Sequence, residues 1–333
     1  MERIVLQQLK AWKNKADRKP LILNGARQVG KTWLLHEFAR TEYKKEAYVN
    51  CRKNEQANLI FKQDFNIDRI LRALRALTGV DITPGDTLII LDEVQDIPEA
   101  IEALKYFCED APAYHVAVAG SLLGISLHSG VSYPVGKVNE MNIYPMNFEE
   151  FLLAKGEKEM YKLLVEQDFD TMSLLHERYV DLLRQYYYVG GMPEVVASYL
   201  SERDPERVRK LQQDLLLLYE SDIVKYNGEI DAAKILAVLR SIVPQLAKEN
   251  SKFIYGALRE GARGRGYEEA IEWLVSARMV RRVHNLDAIE YPLAAHSIRN
   301  AFKLYLNDVG MLKVASGITD DSLILDRDFA FKG

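Results

Sequence analysis

The chain has 333 residues, 48% of them hydrophobic and 28% charged, with a formal net charge of -4. That leaves room for two or three domains with their own cores, and no overall charge that would draw the chain to nucleic acid or a membrane. The only cysteines, Cys51 and Cys108, sit among apolar residues, which argues against a disulfide framework and for a reducing cytoplasm.

From Met1 to Lys13, acidic and amide residues occupy positions where a signal peptide needs an unbroken apolar core. The segment reads as an amphipathic helix. The longest purely aliphatic run, Leu215 to Leu218, is far shorter than a membrane span, so no membrane partner is expected. Five strand-like runs then alternate with helical patterns: 20–23, 47–50, 88–91, 115–119 and 137–144. The first four are short and almost wholly apolar, as buried parallel strands are. Their alternation with helices predicts a doubly wound α/β domain.

The first run leads into Gly25, Ala26, Arg27, Gln28, Val29, Gly30, Lys31 and Thr32, which fit the phosphate-binding pattern G-x-x-x-x-G-K-[ST]. Backbone amides of such a loop, and of the helix that follows through Trp33, face a nucleotide's phosphates. Lys31 adds a point charge and the Thr32 hydroxyl is a Mg²⁺ ligand. Leu34, Leu35 and Phe38 of that helix are expected to face the sheet. The third run ends in Asp92 and Glu93, placing two carboxylates at the carboxyl edge of a central strand, where ligands of open α/β sheets bind. Asp92 suits the metal shell, and Glu93 suits a general base for the attacking water. The fourth run ends at Ser121, placed either to sense the γ-phosphate or to cap the next helix.

Together with the loop, Leu91-Asp-Glu-Val-Gln95, Ala119-Gly-Ser-Leu-Leu123 and Ile143-Tyr-Pro-Met-Asn-Phe-Glu-Glu-Phe-Leu152 resemble the AAA-type ATP-binding proteins of bacteria and archaea. Those proteins join an AAA core to a C-terminal domain of unknown function. Tyr188-Val-Gly-Gly-Met-Pro193 and Lys303-Leu-Tyr-Leu-Asn-Asp-Val-Gly-Met-Leu312 match as well. The resemblance implies a P-loop NTPase (AAA-like) parallel sheet over residues 1–146, a helical lid over 147–229, and a winged-helix-like domain from 230 toward 333. It also implies ATP as the nucleotide. Where family members carry a small residue and an arginine after the fourth strand, this chain has Gly136 and Lys137, so that arginine cannot be carried over. The chain also stops where a nuclease-like extension would begin, as a truncated C-terminal region would.

Beyond Asn147, apolar residues recur at helical spacing, and Gly190-Gly191 before Pro193 marks a break that is either a hinge or a plain turn. Tyr186, Tyr187 and Tyr188 suit either base stacking or core packing. Residues 231–293 suggest three helices and a hairpin of the helix-turn-helix class. Arg259, Arg263, Arg265, Arg278, Arg281 and Arg282 form the densest basic patch, which permits phosphate contacts with DNA. Glu268, Glu269 and Glu272 on the intervening helix oppose that reading and leave a protein partner equally open. The residues therefore fit a Mg²⁺-dependent ATPase, alone or completed by a homo-oligomer. They also fit a slow nucleotide-gated module that presents a surface to DNA or protein, or a DNA-binding regulator with the ATPase core as scaffold.

Overall fold

A computed structural model describes residues 2–121, 133–227, 229–248 and 252–318. Leu122, Leu123, Ser251 and the stretch 319–333 lie outside the described residues, as does the side chain of Ser121. The chain divides into two compact units, with the break between Tyr144 and Pro145.

In the first unit, α1 (Val5–Lys13) buries Leu9 and Trp12. Five parallel strands follow: β1 (Leu21–Gly25), β2 (Lys45–Asn50), β3 (Thr87–Asp92), β4 (His115–Ser121) and β5 (Asn139–Ile143). Their order across the sheet is β2-β3-β4-β1-β5. The chain leaves β1 for the far edge, returns through β3 and β4, and places β5 on the other side of β1. Such a reversal of strand order opens a crevice at the carboxyl ends of the strands. Every residue of β1 and β3 is buried, so their apolar runs serve both faces of the sheet. Over one face, Ile22, Val49, Ile89, Leu91, Val116 and Val118 pack on α3 (Glu55–Gln63), α4 (Ile67–Thr78) and α5 (Pro98–Asp110). Asn54 and Asn66 start α3 and α4 by accepting amide hydrogens three residues on. The helix α2 (Lys31–Glu42) buries Leu34, Leu35 and Phe38 completely, as its spacing predicts.

The second unit begins with helices: α6 (Phe148–Lys155), α7 (Lys158–Glu166), α8 (Phe169–Leu174), α9 (His176–Val189), α10 (Pro193–Glu202), α11 (Pro205–Tyr226) and α12 (Glu229–Ala247). Tyr186 lies between the rings of Phe148 and Phe151, and Tyr188 is buried, so two of the three tyrosines pack into the unit's own interior. The break after α9 is a fastened turn. Gly191 accepts from the Met146 amide (2.7 Å) and donates to Asp308 Oδ2 (2.5 Å). A Cβ on Gly191 would lie 1.9 Å from the Met146 carbonyl oxygen, so only glycine admits this approach. Gln212, buried on α11, donates to the carbonyls of Tyr188 and Val189.

Beyond α12, the second of three expected helices is a single 3₁₀ turn, Tyr255–Ala257. Four glycines, at 256, 261, 264 and 266, weaken any longer helix there. Helix α13 (Glu268–Ser276) and the antiparallel pair β6 (Val280–Leu286) and β7 (Ser297–Leu306) follow, then α14 (Val309–Ala315). No helix among the described residues is long and apolar enough to cross a membrane.

Candidate nucleotide site

The site grows from the carboxyl ends of β1 and β3, which are not neighbours, because β4 lies between them. Gly25 ends β1, and a Cβ there would sit 2.5 Å from the Ile143 carbonyl oxygen of β5, so the loop starts on a residue without a side chain. Ala26 and Val29 are buried and anchor the loop, while Gln28 is exposed and Arg27 partly so. Gly30, in the left-handed region at φ 88°, precedes α2 and accepts its first helical hydrogen bond, from Leu34. No side chain caps this turn, which leaves the first amides of α2 without intrahelical partners and aimed outward, an anion-binding geometry. Trp33 stands 42% exposed at the edge of that turn.

Lys31 is buried, and its ammonium donates to the carbonyls of Gly25 (2.9 Å) and Ala26 (2.8 Å). Burial pulls its pKa down to about 8, against the charges of Glu93 and Asp92, which favour the protonated form. An anionic phosphate would restore that charge. Asp92, buried at the end of β3, accepts the Thr32 hydroxyl on Oδ2 at 2.7 Å. Thr32 and Asp92 thus bring two hard oxygens together beside the loop, a donor set suited to Mg²⁺. Glu93 is half-buried in a left-handed conformation (φ 51°), and its Oε2 accepts from Gln95 Nε2 at 2.6 Å. Ser121 pairs by backbone register with Gly25, so the tip of β4 lies beside the start of the loop.

Three further residues stand in this site to which the sequence reading gave no role. The Tyr48 hydroxyl donates to Asp92 Oδ2 at 3.1 Å, and its pKa is raised to about 12, first by burial and then by the Asp92 charge. Gln95 lies inside the acidic motif and holds Glu93. Arg3, buried, donates to the carbonyl of Val29 within the loop. Lys137 pairs with Glu109 at 2.8 Å, which raises its pKa.

Two family models match the chain: an AAA domain over residues 17–152, and a domain of unknown function (DUF8612) over residues 180–322. The chain thus joins an AAA domain to a C-terminal domain of unknown function. In this chain the first match runs from before β1 into α6, and so takes in the loop, Asp92 and Glu93. No curated protein matches it. Among solved structures, Orc1 of Aeropyrum pernix in complex with DNA is 15% identical, with 96% of this chain and 91% of that chain covered at a TM-score of 0.31. AMPPCP-bound DnaA from Aquifex aeolicus is 15% identical over 81% of this chain and 86% of its own, at 0.35. The RuvB Holliday junction branch migration motor of Thermotoga maritima is 16% identical over 84% and 87%, at 0.32. Likenesses this distant carry no argument about function. The fold of the chain is α/β, a five-stranded parallel sheet with a phosphate-binding loop, followed by a largely helical region.

The basic patch of the second unit is not uniformly available. Arg282 pairs with Glu268 (2.8 Å) and Glu272 (3.1 Å) and lies over the Phe302 ring. Arg259, Arg263 and Arg265 are exposed and form no ion pair among the described residues.

Proposed function

We propose that this protein binds ATP with Mg²⁺ and hydrolyses it. The observation that carries the reading is the convergence of Thr32 and Asp92 beside a buried Lys31, with Glu93 one residue further on. In this reading the loop amides and Lys31 hold the β- and γ-phosphates, and Thr32 and Asp92 hold the metal. A bound Mg²⁺ would draw charge from the phosphate oxygens. Glu93, steadied by Gln95, takes a proton from water as the water oxygen attacks the γ-phosphorus. The bond to the bridging oxygen breaks, releasing ADP and inorganic phosphate. Ser121 senses the γ-phosphate, and the helices after residue 147 act as a lid that answers the nucleotide state together with the winged-helix-like region. A cytoplasmic location belongs to the same reading.

Steady-state hydrolysis with Mg²⁺ tests it. Glu93→Gln should lower turnover by roughly 10²-fold or more while nucleotide affinity stays near wild type. Lys31→Ala should lose nucleotide binding. A Lys31→Ala chain that binds and hydrolyses ATP normally would sink the proposal.

A slower, nucleotide-gated module is favoured by one observation: Lys137 stands where family members carry an arginine, and Glu109 occupies it. Under that reading turnover is slow by itself, and the exposed Arg259, Arg263 and Arg265 meet DNA. Stimulation by DNA that weakens with salt and vanishes in Glu93→Gln would support it. Turnover indifferent to DNA would leave a protein partner or a second copy as the trigger.

A further inference from the structure

Arg3 lies 22 residues before the phosphate-binding motif and belongs to none of the nucleotide signatures. Its side chain is only 4% exposed, and a buried guanidinium persists only where its donors are met. Two of them are met by backbone oxygens of the same unit: Nη1 donates to Val29 O at 3.1 Å and Nη2 to Tyr144 O at 2.9 Å. Tyr144 directly follows β5, a strand paired with β1, so the sheet itself anchors one arm of the fork. The other arm reaches into the phosphate loop.

The Val29 carbonyl and the Gly30 amide belong to one planar trans peptide, in which C=O and N–H point in opposite directions. Holding Val29 O toward the guanidinium therefore turns the Gly30 N–H away from it. Gly30 places little steric restraint on this peptide, since glycine accepts either sign of φ. Without the arginine, the Val29–Gly30 plane could rotate and withdraw one amide from the phosphates. We propose that Arg3 is a positioning residue for the nucleotide: it fixes the Val29–Gly30 peptide so that the Gly30 N–H is presented to the phosphate groups before any ligand arrives. It acts through Gly30 and touches no nucleotide. The proposal rests on the ATP reading of the same loop. Lysine cannot replace it, because a single ammonium lacks the planar fork that spans two fixed carbonyls.

The test titrates wild type, Lys31→Ala, Arg3→Lys and Arg3→Gln with MgADP by calorimetry, and measures steady-state ATP hydrolysis and the melting temperature of each free protein. Both Arg3 variants should bind MgADP about tenfold more weakly. KM should rise by a similar factor and kcat change less than threefold, since the amide meets the phosphates in ground and transition states alike. In the wild-type chain, which needs no variant, the Gly30 amide should give a single sharp resonance before MgADP and move downfield with it. Arg3 variants that melt earlier yet bind MgADP as wild type does would make the arginine structural only and overturn the inference. A doubled or broadened Gly30 resonance in the free wild-type protein would overturn it too, even if neither variant folds. If wild type fails to bind MgADP or ATP, the ATP reading fails and takes this inference with it.

Discussion

Asp92 Oδ2 accepts two hydroxyl hydrogens, one from Thr32 and one from Tyr48, so the carboxylate is held from two sides at once. If the Thr32 oxygen turned to a cation, as the proposed function requires, Tyr48 would still fix the acid. Tyr48→Phe should therefore raise the Mg²⁺ concentration needed for half-maximal turnover severalfold, the loss of about one hydrogen bond to a charged group. A Mg²⁺ titration of hydrolysis checks this, and an unchanged midpoint would exclude Tyr48 from the site. On β4, buried His115 is hydrogen-bonded to the Tyr43 hydroxyl at 2.8 Å. Its pKa is pushed from 6.5 down to about 4, first by burial and then by the charges of Arg18 and Lys13. As pH falls below 6.5 the unfolded chain takes up a proton that the folded chain refuses, so stability is lost through that window. Between pH 7 and 5 the loss should be about 2 kcal/mol, and His115→Asn should remove it, as denaturant melts at both pH values would show.

At the scale of elements, sequence and structure agree where burial dictates pattern. The β3 run, Thr87–Asp92, was legible because a strand covered on both faces must be apolar throughout, and its two acids could then only lie at its end. The loop was legible because its chemistry is local. Arg3 and Tyr48 were not, since they meet Val29 and Asp92 across 26 and 44 residues of sequence, and no spacing rule reports such contacts. The pairing of Arg282 was hidden for a similar reason: the sequence puts arginines near glutamates without saying which turn inward. The break at Gly190-Gly191 was legible as a break, but its fastening by Asp308 was not. Gly191→Ala should cost at least about 3 kcal/mol, because the new Cβ must displace backbone rather than a side chain. Gly266→Ala, with open space around it, should change stability by no more than about 0.5 kcal/mol. Thermal melts of both variants decide whether the contact at Gly191 is as tight as its geometry states.

For the whole molecule, the loop, Asp92, Glu93, Tyr48 and Arg3 all belong to the first unit, so the proposed nucleotide site draws its residues from one unit. Completing a transition state is a separate demand. With Lys137 engaged by Glu109, hydrolysis per chain should rise with protein concentration, as it would if a neighbouring copy brought the missing cation. Turnover strictly proportional to concentration from nanomolar to micromolar would show that each chain works alone. The fastening of Gly191 by Asp308 also bears on how the protein is made. The two residues are 117 positions apart, and Asp308 simultaneously caps α14 through the Met311 amide. During synthesis the turn after α9 must wait, with its Gly191 amide unanswered, until residue 308 has emerged, at ribosomal rates a delay of roughly 6–25 s. The first unit has a wait of its own, since Arg3 meets Tyr144 across 141 positions, but that wait ends when residue 144 emerges, well before Asp308. The half that carries the phosphate-binding loop can thus fold while the other half is still a growing chain.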